Sequence, residues 1–193
     1  MNLEELQTQI TEYIAKDSLS PIGSRPILQI SSTAKLLIIG QAPGIRAQTS
    51  GIPWNDASGD RLRAWLNLSK EVFYDKNKVA IIPMGFCYPG QNIHGGDRPP
   101  NIQHAITWHK SLLGLMPNIK LTLLVGRYAQ HYYLQDRAKA KMAETIQAWQ
   151  EYLPQYLVLP HPSWHNNRWI KSHPWFEQEL IPALRAQVQQ IFK

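Results

Sequence analysis

The chain has 193 residues, enough for one compact domain with a sizeable core and too few for two comfortable ones. Hydrophobic residues make up 44%, and no apolar run approaches the ~20 residues of a membrane-spanning helix. Lys plus Arg number 20 against 14 Asp plus Glu, a formal charge of +6 that favours a polyanionic partner without establishing one.

The first residues carry acidic side chains and no apolar segment of the kind a signal peptide needs. Cys87 stands alone, which rules out an internal disulfide and a four-cysteine metal or iron–sulfur site. The expectation is a monomeric cytoplasmic protein with no metal, no cofactor and no membrane contact.

Leu3, Leu6, Ile10, Tyr13 and Ile14 recur at helical spacing, so residues 2–16 predict an amphipathic helix. Pro21, Gly23 and Pro26 break the chain into a loop. Residues 35–40, KLLIIG, are a continuous apolar run ending in Gly, the pattern of a buried parallel strand. A polar loop follows over 41–57. Ser58 can cap the next helix, with Leu62, Trp65 and Leu66 on its inner side. Residues 78–82 predict a second strand. Residues 83–100 are a long loop rich in Gly and Pro, and loops of that length are usually functional or disordered. Asn101 opens a helix to about residue 115. Residues 121–126, LTLLVG, predict a third strand, with helices over 127–134 and 139–151. A fourth strand over 156–159 leads into a loop over 160–173. Pro174 suits a first helical turn, and the last helix runs to about residue 191.

This alternation predicts an α/β fold: a three-layer α/β/α sandwich around a four-stranded parallel sheet, forming a single domain over 1–193 with helix 2–16 as an extension. Ligands of such sheets collect beyond the carboxyl ends of the strands. The loops 41–57, 83–100 and 160–173 leave those ends.

The first of these loops reads GQAPG over 40–44 and GIPWNDASGDRL over 51–62; the segment after the last strand reads LPHPSWHNNRWIKSHPWF over 159–176. Together they resemble the paired signatures of the uracil-DNA glycosylase superfamily. There, a strand ends in G-x-x-P-G and is followed by G-x-P-F and a small-residue turn. A later H-P-S often has Asn three residues beyond its Ser. Gly40, Pro43, Gly44, Gly51, Pro53, Trp54, His161, Pro162, Ser163 and Asn166 hold the matching positions, in the same order. The likeness runs from about residue 33 to 190. It implies an enzyme that flips a deaminated base, uracil by default, out of single- or double-stranded DNA. The enzyme then hydrolyses the N-glycosidic bond, without a metal, in base-excision repair.

The residues also have readings of their own. Gly40, Pro43 and Gly44 can simply turn the chain, or can let backbone approach a base or phosphate closely. The resemblance sets Pro43 and Gly44 against DNA. It sets Gln41 and Ala42 at base-binding positions where many relatives carry Asp, Asn or Glu, so the usual carboxylate is missing. Trp54 is either ordinary core or, in place of the family's Phe, the ring that stacks on the extruded base. Asp56 and Ser58 can cap the following helix, with Asp60 in its first turn. One branch of the superfamily uses an Asp in a G-D-x-S-G-D-like turn, and Asp56 resembles it, one residue closer to Gly51. That makes Asp56 the carboxylate that stabilises positive charge on the sugar and orients water.

By the same resemblance His161, which alone reads as a histidine at a strand end, donates to the base oxygen that gains negative charge. Ser163 and Asn166 contact phosphates, and Trp164 or His165 wedges into the gap left by the base. Arg168 and Lys171 add positive charge, and Trp164 and Trp169 among basic residues suit a nucleic-acid surface. In the middle loop Phe86 and Tyr88 can line a pocket, Phe86 against the base, while His94, Asp97 and Arg98 can face a ligand. Relatives often read uracil with an Asn near the end of this strand, where this chain has Pro83 and Met84. Some relatives hold an iron–sulfur cluster with one cysteine near Cys87. The other cysteines are missing here, so Cys87 reads as a small buried hydrophobe. Gln91, Asn92, His94 and Asp97 match no standard metal spacing. Two rivals stay open: a non-catalytic nucleic-acid binder of the same fold, and a hydrolase or binder acting on a nucleoside or other small molecule.

Overall fold

The computed structural model describes residues 2–17, 20–21, 23–93 and 95–193, so His94 lies outside the described residues. In chain order the elements are α1 (Leu3–Lys16), β1 (Leu36–Ile39), α2 (Ile45–Ser50), α3 (Ala57–Leu66), α4 (Lys70–Phe73), β2 (Val79–Ile81), α5 (Gln103–Gly114), β3 (Leu121–Val125), α6 (Arg127–Leu134), α7 (Met142–Gln147), β4 (Tyr156–Leu159), α8 (Asn167–Ser172) and α9 (Ile181–Phe192). No described helix is long and apolar enough to cross a membrane.

The four strands form one parallel sheet in the order β2-β1-β3-β4. Every residue of β1, β2 and β3 is buried, which is why these strands read as unbroken apolar runs. Successive side chains point to opposite faces and feed two cores. Leu36, Ile38, Val79, Ile81, Leu123 and Leu157 pack with Leu62 and Leu66 of α3 and Leu184 and Val188 of α9. Leu37, Ile39, Ala80, Leu124 and Val158 pack with Leu6, Ile10 and Ile14 of α1, Leu112 of α5 and Ala129 of α6. The result is the expected three layers. Helix α1 belongs fully to the second core and is less an extension than a wall.

The loops and short helices differ from expectation. The segment 41–57 contains α2, and 160–173 contains a 3-10 turn, Trp164–Asn166, followed by α8. The predicted helix over 139–151 is divided into α7 and a 3-10 turn, Trp149–Tyr152. The last helix begins with a π-helical turn, Phe176–Leu180. Helices α2, α7 and α8 have six residues each, fewer than two turns at ~3.6 residues per turn, too short for a hydrophobic period to declare itself.

Two buried histidines of α5 hold the long loop after β2. The Pro83 carbonyl accepts from His109 Nε2 at 3.1 Å, so His109 Nδ1 must accept from the Tyr133 hydroxyl at 2.6 Å. The Phe86 N–H donates to His104 Nδ1 at 2.9 Å, which leaves His104 Nε2 to donate to Asp17 Oδ2 at 3.0 Å. That second bond ties the end of α1 to α5. Both rings must stay neutral to fill these roles. Burial lowers both pKa values, that of His109 from 6.5 to about 4.

An unfolded chain takes up this proton near pH 6.5, and the folded chain refuses it until about pH 4. Stability is therefore fully present above pH 6.5 and falls as the pH drops toward 4, by about 1.4 kcal/mol per unit for His109. The urea midpoint is expected to fall between pH 7 and pH 5, and to fall less in His109→Gln, whose amide can still donate to Pro83. An identical fall in the variant would show that His109 is not the titrating group.

Candidate active site

In the order β2-β1-β3-β4 the chain leaving β1 returns to β2 and the chain leaving β3 returns to β4. Connections that diverge in this way open a crevice beyond the carboxyl ends of the strands. A cavity of about 480 Å³ occupies that place. Gln41, Ala42, Pro43 and Gly44 form one wall. They are fixed because the β1–β2 pairing continues past the strands: Met84 N–H donates to the Gly40 carbonyl and Gly85 N–H to the Gln41 carbonyl, both at 2.9 Å. Pro83 also lines the cavity.

Trp54 lies across the end of β1. A Cβ on Gly40 would come within 2.7 Å of its indole, and a Cβ on Gly59 within 1.8 Å of its carbonyl oxygen. Both glycines are therefore required by one tryptophan. Trp54 itself has φ 56°, a conformation a bulky residue adopts only when held there. Arg63 Nη1 donates to the Trp54 carbonyl at 3.3 Å and to the Tyr74 hydroxyl at 3.0 Å, and Tyr74 donates to the same carbonyl at 3.3 Å. Asp60 pairs with Arg63 at 2.6 Å. Its role is thus larger than the helix-terminus effect expected of it, because it neutralises the cation that holds the Trp54 turn.

Two residues past Trp54, Asp56 is the N-cap of α3, and Ser58 is not. Asp56 Oδ1 accepts from Gly59 N–H at 2.8 Å. Oδ2 lies 3.6 Å from where a Cβ on Gly44 would sit, and Asp56 and Ser58 both line the cavity. The cap reading and the cavity-carboxylate reading are thus one arrangement seen from two sides.

His161 completes the opposite wall, its ring 5.5 Å from that of Trp54 and tilted by 32°. Ser163 N–H donates to His161 Nδ1 at 3.3 Å, so the neutral ring carries its proton on Nε2. Burial lowers the imidazole pKa, Asp56 opposes that shift, and His165 adds to it. Asn166, expected against phosphate, uses its amide N–H₂ to hold the His161 carbonyl at 2.7 Å. Arg61 Nη1 of α3 donates to the Ser163 carbonyl at 3.2 Å and to Asn167 Oδ1 at 2.6 Å. Gln130 of α6 donates to the Leu159 carbonyl at 2.8 Å, just before the motif begins. Trp164 and His165 line the cavity mouth, stacked on each other at 3.8 Å, with Trp164 71% exposed.

Other expectations are corrected. Phe86 is fully buried, stacked on His109 at 5.7 Å, and takes no part in the cavity lining. Its N–H donates to His104, and its ring packs against His104 and His109. Trp169 is half-buried, packed on His173, Trp175 and Phe176 against the first core. Arg168 is exposed on α8, outside the cavity wall. Cys87 is buried, which pushes its thiol up to about 12. Among the described residues no three His, Cys, Asp or Glu side chains are grouped to hold a metal ion.

Arg61, Gln130, His104 and His109 were not read from the sequence. Only the polar residues Gln130, His104 and His109 on otherwise inward faces of α6 and α5 could have signalled buried hydrogen-bonding duty.

The chain resembles a solution NMR structure of a protein from Methanosarcina acetivorans, provisionally named a uracil DNA glycosylase, at 18% identity and a TM-score of 0.46, over 83% of this chain and 94% of that one. The family model described as the uracil DNA glycosylase superfamily matches residues 29–185, from before β1 to within α9, and takes in both motif loops and the cavity between them. This chain belongs to the uracil DNA glycosylase superfamily.

Proposed function

We propose that this protein hydrolyses the N-glycosidic bond of a deaminated base, uracil first, flipped out of DNA in base-excision repair. One observation carries the reading: the carboxylate of Asp56 and the imidazole of His161 share a cavity, with the Trp54 indole in its wall.

As the bond breaks, its electron pair leaves with the base and positive charge grows on the sugar. Asp56 stabilises that charge. Gly59 N–H fixes one of its oxygens, and the other can orient a water, whose oxygen bonds to the sugar carbon while its proton passes to the carboxylate. His161 Nε2–H donates to the base oxygen that gains negative charge. A neutral ring suits this role, and the Ser163 bond and burial both favour it. Trp54 offers the face on which the base stacks. Gln41 and Ala42 contact the base edge, and Pro43, Gly44, Ser163, Trp164 and His165 meet the strand.

Asp56→Asn and His161→Ala are each expected to slow single-turnover cleavage far more than they weaken DNA binding, because both groups act on charge present mainly in the transition state. For His161→Ala the loss is about 10²-fold or more, the scale of a removed oxyanion donor. Asp60→Asn is expected to lower stability through Arg63 and to cost less in rate. The carboxylate is misplaced if Asp60→Asn abolishes cleavage and Asp56→Asn does not. A wild type that cleaves no deaminated base, in single or double strands, is a binder and not an enzyme.

Arg46, Arg98, Arg168 and Lys171 are all exposed. The logarithm of DNA affinity should fall linearly with the logarithm of salt concentration, and Arg168→Gln should reduce that slope by about one unit. An affinity unchanged between low and moderate salt would point instead to a small-molecule ligand.

A further inference from the structure

We infer that Arg61 is a positioning residue for His161: acting through Ser163, it holds the imidazole in the form that carries its proton on Nε2. The catalytic consequence rests on the reading that this proton is donated to the leaving base.

The loop that carries His161 closes on itself. Asn166 N–H donates to the Ser163 carbonyl at 3.2 Å, and Asn166 Nδ2 donates to the His161 carbonyl at 2.7 Å. Within that loop Ser163 faces two ways. Its N–H donates to His161 Nδ1 at 3.3 Å, and its carbonyl accepts from Arg61 Nη1 at 3.2 Å. The same Nη1 donates to Asn167 Oδ1 at 2.6 Å. Both of its protons are thus committed, one at each end of the turn Trp164–Asn166. A guanidinium keeps its protons at any ordinary pH, so Arg61 is a donor in every state of the site.

The bond from Ser163 to His161 is long for its kind, just beyond the usual ~2.7–3.2 Å, so a small shift of Ser163 breaks it. With that donor gone, nothing keeps the neutral ring from carrying its proton on Nδ1. Nε2 then presents a lone pair where the departing base oxygen needs a donor. Asp56, the cap of α3, favours a charged ring, while burial and His165 on the same loop oppose it, and Asp97 lines the same cavity. Those groups bear on whether the ring is charged. Arg61 bears on where the proton sits when it is not.

The test reads the two ring nitrogens of His161 by 15N NMR at about pH 8, above the ordinary imidazole pKa of about 6.5. His161→Ala identifies the signals. In the wild type Nε2 should be the protonated nitrogen. In Arg61→Met the two signals should move toward each other as the Nδ1–H form becomes populated. Both of the bonds made by Arg61 leave one nitrogen, so the ammonium in Arg61→Lys can replace them and should restore most of the wild-type spectrum. Asn167→Ala keeps the cation and removes one of its two acceptors. It should move the same signals in the same direction, and it carries the test if Arg61→Met does not fold.

Single-turnover cleavage of uracil in DNA should fall about tenfold or more in Arg61→Met, within the ~10²-fold that a misplaced group can cost, and DNA affinity should change little. Ring signals that are the same in Arg61→Met, Asn167→Ala and wild type overturn the inference. So does a variant whose only defect is weaker DNA binding with a salt slope lower by about one unit, which would make Arg61 a phosphate contact. If the wild type cleaves uracil and the signals do not respond to Arg61, the glycosylase reading stands and this one fails. If the signals respond and the wild type cleaves nothing, this one stands and catalysis fails.

Discussion

Everything at the carboxyl edge depends on one steric constraint, the seating of Trp54 between two glycines. Gly40 ends β1 without a side chain so that the indole can lie across it, and Gly59 lacks one so that the Trp54 carbonyl can touch the first turn of α3. With its backbone in the left-handed region, Trp54 turns the chain so that Asp56, two residues on, arrives as the cap of that helix. Arg63 and Tyr74 hold the turn through the same carbonyl, and Asp60 pairs with Arg63. Gly40, Trp54 and Asp56 line the cavity, while Gly59, Arg63, Tyr74 and Asp60 support them from outside its lining.

The charges are arranged at two ranges. Exposed cations spread over the surface of a protein with net charge +6 act at a distance and draw in a polyanion. Two carboxylates, Asp56 and Asp97, line the cavity itself. At close quarters they repel a phosphate and accept from the N–H groups of a neutral ligand or stabilise a cation. His161 stays neutral because burial outweighs the pull of Asp56. A phosphodiester is thus attracted to the rim and refused by the interior.

Much of this was legible in the sequence. The strands showed themselves because they are buried on both faces, and the two glycine- and histidine-bearing motifs fell where a parallel sheet puts its ligands. The positions of Asp56, Trp54 and His161 around one cavity followed from that placement. Phe86 was misread because aromaticity near a site says nothing about direction, and its ring packs against His104 and His109, residues on a later helix. Arg61 looked like one of many surface cations, since its partners, Ser163 and Asn167, are about a hundred residues away. Asn166 was assigned to an external ligand when it closes its own loop. Long-range polar partnerships of this kind leave no period in a sequence.

Helix α3 carries both halves of the site. Asp56 caps its first turn, and Arg61, little more than a turn later, grips the loop that holds His161. The loop that carries the imidazole, which also follows directly on β4, is thereby tied to the helix that the carboxylate caps. One helix of ten residues therefore spans the two walls of the candidate site, so inserting or removing a residue in it would change their spacing even with the sheet intact.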